Sequence, residues 1–314
     1  MNARVAVIIP THNRASLLPE TIDSLFQQTR PPDELIVVND GSTDDTAAVL
    51  ARYPAPLKAI HVPNGGRSRA RNIGLRAATA DFVCLLDDDD RLSPDSLAIR
   101  AAHLEAHPNI GVVYGDTRLI DEAGLPLSGE VPRANPNRPS GQVFAEIACD
   151  NLAPIHAHLF RRELLDQVGN FDESLRMGED WDLWIRLAAI TEFAYLPQHV
   201  ADYRFHITMS TSYNTRRWQA GNSLLIHERV LPMPAFAALP PIAQARIHAR
   251  LAVRYLRLGH TAEACAAYGA ALSLNPASTS YRLRYTFLRM MRKPLAWLMQ
   301  SPVFETLLDL RPKR

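Results

Sequence analysis

Cysteine is scarce in this chain. Cys84, Cys149 and Cys265 are the three in 314 residues, far apart and with no CxxC pair. An odd, scattered set supplies neither a disulfide framework nor a cysteine-rich zinc site, and it fits a reducing cytosol. An excess of one charge is missing too, since 34 basic residues face 33 acidic ones for a net charge of +1. Without a global positive field the chain has nothing to hold a polyanion, so nucleic acid is not an expected partner and charge arguments rest on local patches. Long hydrophobic runs are also absent. Met-Asn-Ala-Arg is followed only by Val5–Ile9 before Pro10, too short for a signal-peptide core, and nothing approaches the roughly 18 apolar residues of a membrane span. The expected location is cytoplasmic, with peripheral contact at the inner face of a membrane as the other possibility. No GxGxxG and no GxxxxGKS/T occurs, which speaks against a dinucleotide dehydrogenase and a P-loop NTPase.

What is present describes a globular protein: 47% hydrophobic and 21% charged residues exclude a disordered chain, and the length suits one large domain plus a smaller one. Val5–Ile9, Leu35–Val38, Ala59–Val62, Phe82–Leu86 and Val112–Tyr114 are short apolar runs rich in β-branched residues, read as buried strands. Between the first two, Leu18, Ile22, Leu25 and Phe26 form a helical stripe that Ser16 is placed to cap and that tolerates Pro19 in its first turn. Helices also fit Thr43–Tyr53 and Ser68–Ala78. Strand and helix alternating in this way predict a mostly parallel sheet covered on both faces, with ligands beyond the carboxyl ends of its strands. The Pro-, Gly-, Asn- and Arg-rich stretch from Gly124 to Ser140 reads as a functional flap. A composition change near Ser210–Asn214 divides residues 1–214, with halves at 1–118 and 119–214, from a helical region at 215–314. That region carries one tetratricopeptide-like hairpin near 251–276.

Two strand ends carry chemistry. Leu35–Val38 runs into Asn39, Asp40, Gly41 and Ser42. Asp-Gly alone is a hairpin signal, but a helical segment follows instead of a returning strand, and a carboxylate on such a turn can accept hydrogen bonds from a base or ribose. Phe82–Leu86 ends in Asp87, Asp88, Asp89 and Asp90 before a helix start at Ser93–Pro94. One of these acids capping the helix is the plain reading. Four adjacent carboxylates repel unless a cation compensates, however, and hard divalent cations bridging phosphates favour carboxylates from one rigid strand end.

Taken together, VAVIIPTHNR, LIVVNDGSTDDT, GRSRARNIGLRAA and FVCLLDDDDRLSP over residues 5–94 resemble the nucleotide-sugar half of a family 2 inverting glycosyltransferase of the GT-A fold. LFRRELLDQVGNFDESLRMGEDWDLWIRLA and YRFHITMSTS resemble its acceptor half, to about residue 212. The resemblance implies an α/β GT-A domain, a Rossmann-like, mostly parallel sheet sandwiched by helices, followed by an α-helical C-terminal region. It implies that Thr11 and Asp40 lie at the nucleoside, that Arg71 helps bind the donor, and that Asp87 and Asp89 form the metal motif for Mn²⁺ or Mg²⁺, with Asp89 the more direct ligand. Asp180 then matches the general base, and His206 a histidine near the metal or diphosphate. Asn39 departs from the usual first acid of Asp-Asp-Gly, and His12 stands where Tyr or Phe is common.

Plainer readings accompany the rest. Arg67, Arg69 and Arg71 also fit a solvated helix face, although Arg71 sits near a helix start that favours phosphate. Glu179 or Asp180 also fits an N-cap. Trp181 and Trp184 suit a core or cleft wall, and His156 and His158 lack an HExxH pattern for zinc. The implied reaction transfers one sugar from a nucleoside-diphosphate sugar, a UDP-sugar first, to a glycan or lipid-linked acceptor. Asn214–Trp218 lacks the QxxRW run of processive synthases. The alternative is a catalytically silent nucleotide-binding scaffold acting through its helical tail. From Ser278 onward that tail holds eight basic residues, Arg282 to Arg314, against Glu305 and Asp309, interleaved with apolar residues. Such a pattern suits either packing on the hairpin or contact with an anionic membrane.

Overall fold

The protein is described by a computed structural model over residues 3–128, 137–175, 177–206 and 216–290. It divides into two compact units, Met1–His206 and Ile207–Arg314.

The first unit is built on one eight-stranded sheet: β1 (Val5–Thr11), β2 (Glu34–Asp40), β3 (Leu57–Val62), β4 (Phe82–Leu85), β5 (Arg91–Leu92), β6 (Ile110–Ile120), β7 (His158–Arg161) and β8 (Glu192–Arg204). Their order across the sheet is β3-β2-β1-β4-β7-β6-β8-β5. The β1–β2, β2–β3, β1–β4 and β6–β8 pairs run parallel, and β4–β7, β7–β6 and β8–β5 antiparallel. Every residue of β1 and β4 is buried, which is why these strands read as unbroken apolar runs instead of alternating ones. Helix α3 (Arg67–Ala77) comes so close to β1 that a Cβ on Gly74 would lie 2.3 Å from the Ile8 Cγ2. Register brings Thr11 level with Asn39, and Ile8 level with Leu85. The carboxyl ends of β1, β2 and β4 therefore open onto one edge.

Some local expectations change. Helix α1 (Leu18–Phe26) starts from Leu17 with no side-chain cap, so Ser16 does not cap it; a turn in which the Arg14 carbonyl accepts from Leu17 and Leu18 N–H leads in instead. Helix α2 contracts to Thr46–Leu50, because Thr43 and Asp44 N–H donate to the Asn13 side chain and Thr46 N–H donates to Asp44. Side-chain acceptors of this kind compete with the helical ladder. The remaining helices of this unit are α4 (Ser96–Ala106), α5 (Phe144–Ile147), α6 (Leu165–Val168) and α7 (Glu179–Ala188). Residues 121–127 fold back tightly after β6, and residues 129–136 of the expected flap lie outside the described residues.

The second unit comprises α8 (Arg216–Val230), α9 (Pro234–Ala237), α10 (Pro241–Leu258), α11 (Thr261–Leu274) and α12 (Thr279–Met290). Helices α10 and α11 form a hairpin that turns at Gly259, whose φ of 85° is left-handed and open to glycine. Alanines from both helices and Tyr268 make its core, closed by Leu224 of α8 and Leu288 of α12. Among the described residues no helix is long and apolar enough to cross a membrane.

An ionic lattice ties the far edge of the sheet to α1. Glu20 accepts from Arg91 and Arg204, both at 2.5 Å, and Arg91 also donates to the Gly124 carbonyl. Asp202 on β8 accepts from Arg91, Arg118 and His199 at 2.9 Å. Burial alone would push the Asp202 carboxyl up, but His199 and Arg118 outweigh it and hold the group well below the usual carboxylate range. A carboxylate with a depressed folded pKa stabilises above its unfolded pKa, and that contribution disappears as pH falls from there toward the folded value. Asp202→Asn should therefore cost about 1–3 kcal/mol at pH 7, with its melting-temperature deficit shrinking as pH falls below about 4. A deficit that stays constant from neutral pH to pH 3 would overturn this account of the edge.

Candidate active site

The four acids after β4 do not cap a helix. Helix α4 begins at Ser96, after Asp95, so each carboxylate needs another partner. Asp87 receives the buried Arg71 at 2.5 Å, which holds its carboxyl below the ordinary range against the pull of burial. Asp90 is buried: one oxygen accepts the Arg204 backbone N–H at 2.7 Å, and the other lies 2.7 Å from His156 Nδ1. Burial pushes Asp90 up to about 6; it would also push His156 down, but Asp90 against the imidazole holds it above its usual value.

Asp88 and Asp89 are the pair left over. Asp88 accepts the His12 backbone N–H at 3.3 Å, and burial together with the charge of Asp89 pushes its carboxyl up to about 7. Asp89 meets His206 Nε2 at 2.9 Å, and that contact raises the imidazole above its ordinary value. Arg14 lies 3.7 Å from each of the two carboxylates. Buried Thr11 sits beside Asp88.

Among the described residues no three His, Cys, Asp or Glu side chains converge as a ready-made metal cage. The Asp89–His206 contact nonetheless fits the metal implied by the sequence. A hard divalent cation such as Mg²⁺ takes one or two carboxylates and completes its shell with water and substrate phosphates. Asp88 and Asp89 offer such an ion adjacent carboxylate oxygens, and its charge would offset the mutual repulsion that adds to burial in raising Asp88.

The β2 end forms the neighbouring wall. Asp40 accepts Gly65 and Gly66 N–H at 2.8 Å, one with each oxygen. These bonds shape the approach to α3, whose N-cap is Gly66 at φ 90°. A Cβ on Gly41 would stand 2.5 Å from the Asn64 backbone nitrogen, and its φ of 70° is left-handed, so that turn requires glycine on both counts. His12 Nδ1 donates to the Asp40 carbonyl at 2.8 Å, while Asn39 Oδ1 accepts from Ser42 N–H. The two positions that depart from the family pattern thus brace the turn.

A buried relay joins this edge to α7. Arg71 is 2% exposed and reaches Asp87 with one terminal nitrogen and Glu179 with the other, at 2.5 and 2.8 Å, its guanidinium standing over Phe171. Arg67 also meets Glu179, at 2.8 Å. Neither Glu179 nor Asp180 acts as N-cap of α7, since that position is Gly178. Asp180, next to Glu179, accepts from the Asn151 amide at 3.0 Å. Trp181 donates to the Ile147 carbonyl, and Trp184 is core, stacked on His158 at 4.2 Å. Burial drives His158 down to about 3, so it stays neutral. Arg14 and Arg204 carry no signal of their own in the sequence, where they stand within VAVIIPTHNR and YRFHITMSTS, whereas Asp90 is visible there as one of four adjacent acids and Glu179 as the neighbour of Asp180.

A sequence model described as Glycosyl transferase family 2 matches residues 6–168, more than half of the chain. The chain belongs to glycosyl transferase family 2. Asp180 and His206 lie beyond the matched segment of this family 2 chain. It is 29% identical over 223 residues to an uncharacterized glycosyltransferase of Rickettsia bellii (strain RML369-C), covering 70% of this chain and 31% of that one. It is also 29% identical over 192 residues to the uncharacterized glycosyltransferase YwdF of Bacillus subtilis (strain 168), covering 59% and 68%. The chain thus spans about a third of the length of the Rickettsia bellii relative. Among solved structures, S. aureus TarS 1-349 in complex with UDP-GlcNAc is 21% identical with TM-score 0.63, over 86% of this chain and 81% of that one. The mannosyltransferase PcManGT from Pyrobaculum calidifontis, in complex with GDP-Man and Mn2+, is 23% identical with TM-score 0.62, over 99% and 84%. These likenesses show the fold, which is GT-A with a helical C-terminal region.

Proposed function

We propose that this family 2 protein is a metal-dependent, inverting glycosyltransferase. It would move one sugar from a nucleoside-diphosphate sugar, a UDP-sugar first, to an acceptor hydroxyl in cell-surface polysaccharide or glycoconjugate assembly. The observation that carries the reading is the Asp87–Arg71–Glu179 relay, which fixes the acidic end of β4 to the head of α7 where Asp180 stands. Neighbours of the same fold bound to UDP-GlcNAc and to GDP-Man with Mn2+ support the donor class and the ion. A silent scaffold would need neither Asp89 nor Asp180.

In this mechanism Thr11 and the Asp40 turn flank the nucleoside, and Asp89 with His206, backed by Asp87, would hold Mn²⁺ or Mg²⁺. The ion, when bound, offsets the charge on the leaving diphosphate. Asp180 takes the proton of the acceptor hydroxyl as its oxygen bonds to the anomeric carbon. The carbon–oxygen bond to the nucleoside diphosphate breaks on the opposite face, and the diphosphate leaves with the electron pair, so configuration inverts. Arg71 serves by holding Asp87 and Glu179 in place, and Asn151 by orienting Asp180.

Asp180→Asn preserves the shape and the hydrogen bonding but cannot take a proton. It should lower the transfer rate by roughly 10² or more while leaving the melting temperature and nucleoside-diphosphate affinity nearly unchanged. Asp89→Ala should remove the manganese-dependent part of donor binding. Near wild-type transfer by Asp180→Asn sinks the base assignment and turns attention to Glu179.

The acceptor side of the proposal includes a membrane. On α12, Leu283, Phe287 and Met290 are 71%, 53% and 77% exposed, and Arg282 and Arg289 lie beside them with no acid in the helix. Apolar exposure flanked by cations matches an anionic lipid surface, and a protein working at the cytoplasmic face would there meet a lipid-linked acceptor. The basic positions from Arg292 to Arg314 lie outside the described residues. Co-sedimentation with vesicles should require anionic lipid and weaken with salt; absent or salt-independent binding would rule the contact out.

A further inference from the structure

The acids after β4 are compensated unequally, and the inequality gives Arg14 a role. Asp87 and Asp90 have close, buried partners in Arg71, in the Arg204 backbone and in His156. Asp88 has buried Thr11 and the His12 N–H but no cation in close contact, and Asp89 has the partly exposed His206. Their cationic neighbours are His206, at 2.9 Å from Asp89 Oδ2, and Arg14, whose Nε is 3.7 Å from Asp88 Oδ1 and whose terminal nitrogen is 3.7 Å from Asp89 Oδ2. Hydrogen bonds between a guanidinium and a carboxylate close to about 2.7–2.9 Å. At 3.7 Å Arg14 neutralises the pair by proximity and does not clamp it.

The backbone of Arg14 is fixed independently of its side chain. Its N–H donates to Thr46 Oγ1 at 3.3 Å, and its carbonyl accepts Leu17 and Leu18 N–H at 3.1 and 3.0 Å. The side chain is 30% exposed and extends from this anchored stem to the open edge of the sheet. A fixed stem with a loosely held cationic head suits a group that changes partner. Arg14 and a divalent cation would compete for the same two carboxylates, since their charges repel. A diphosphate arriving with that cation offers the guanidinium new oxygens in the geometry it binds well.

We propose that Arg14 is an exchangeable counter-ion. In the unloaded protein it screens Asp88 and Asp89, and on loading it leaves the carboxylates and turns to the diphosphate. This rests on the metal and donor reading given above. It predicts effects of opposite sign, which neither a structural residue nor an ordinary ligand of the ion would give.

The test is isothermal titration of the full-length protein and its Arg14→Gln variant, first with MnCl₂ alone and then with uridine diphosphate at saturating Mn²⁺. Arg14→Gln should bind Mn²⁺ roughly tenfold more tightly, because a repelling charge has gone. It should bind the nucleotide roughly five- to tenfold more weakly, because a charge-assisted contact has gone. Arg14→Lys, which keeps the charge without the planar fork, should hold Mn²⁺ affinity at the wild-type level while binding nucleotide less well. Unchanged or weaker Mn²⁺ binding by Arg14→Gln overturns the screening role, and unchanged nucleotide binding overturns the hand-over. If the wild type binds no Mn²⁺ with or without nucleotide, the functional reading itself falls, a result distinct from either of these.

Discussion

The constraint on which the site depends is electrostatic: four carboxylates follow one buried strand, and they cannot stay together uncompensated. The fold answers residue by residue. Asp87 is tied to Arg71, and Asp90 to His156 and to the backbone at the last residue of β8. Through Arg71 the first tie extends to Glu179, so the strand end and the head of α7 are set by one guanidinium. Through the Arg204 side chain, which donates to the Asp89 carbonyl and to Glu20, the turn is coupled to α1 as well. The outer acids are committed to architecture, and the inner pair, flanked by Arg14 and His206, is the one on which the proposed metal site rests.

The same arrangement separates what the sequence exposes from what it hides. Strands β1, β2 and β4 are legible because burial on both faces leaves unbroken apolar runs, and their register puts Thr11, Asp40 and Asp87 on one edge as alternation of strand and helix implies. Strand β8 is not legible: EFAYLPQHVADYR is interrupted by Pro197 and polar residues, and its pairing with β6 slips register around Gly115, Asp116 and Thr117. Helix α2 is shorter than its sequence implies because nothing local says that Asn13, thirty residues away, takes the N–H groups of Thr43 and Asp44.

In the site, residue types carried the reading and partners did not. A run of four acids announces a need for positive charge without saying which cation each one meets. Asp90 and His156, or Glu20 and Arg204, are far apart in sequence and neighbours only after the sheet closes. Arg71 illustrates the limit. Its type and its place at a helix start suggest phosphate, whereas its 2% exposure between two carboxylates makes it a strut. The family match ends at residue 168, so α7 and His206 enter the site through geometry and not through that match.

On the function proposed above, Asp88 and Asp89 are left for a cation that arrives with a nucleoside diphosphate. The most direct measurement is a calorimetric titration of the wild-type protein with UDP, GDP, CDP and dTDP, each in the presence of Mn²⁺ and of a chelator. Saturable binding of at least one nucleotide, UDP first, is expected, and it should be lost or greatly weakened when the metal is removed. Equal affinity with and without the metal, or no binding by any of the four, would contradict it.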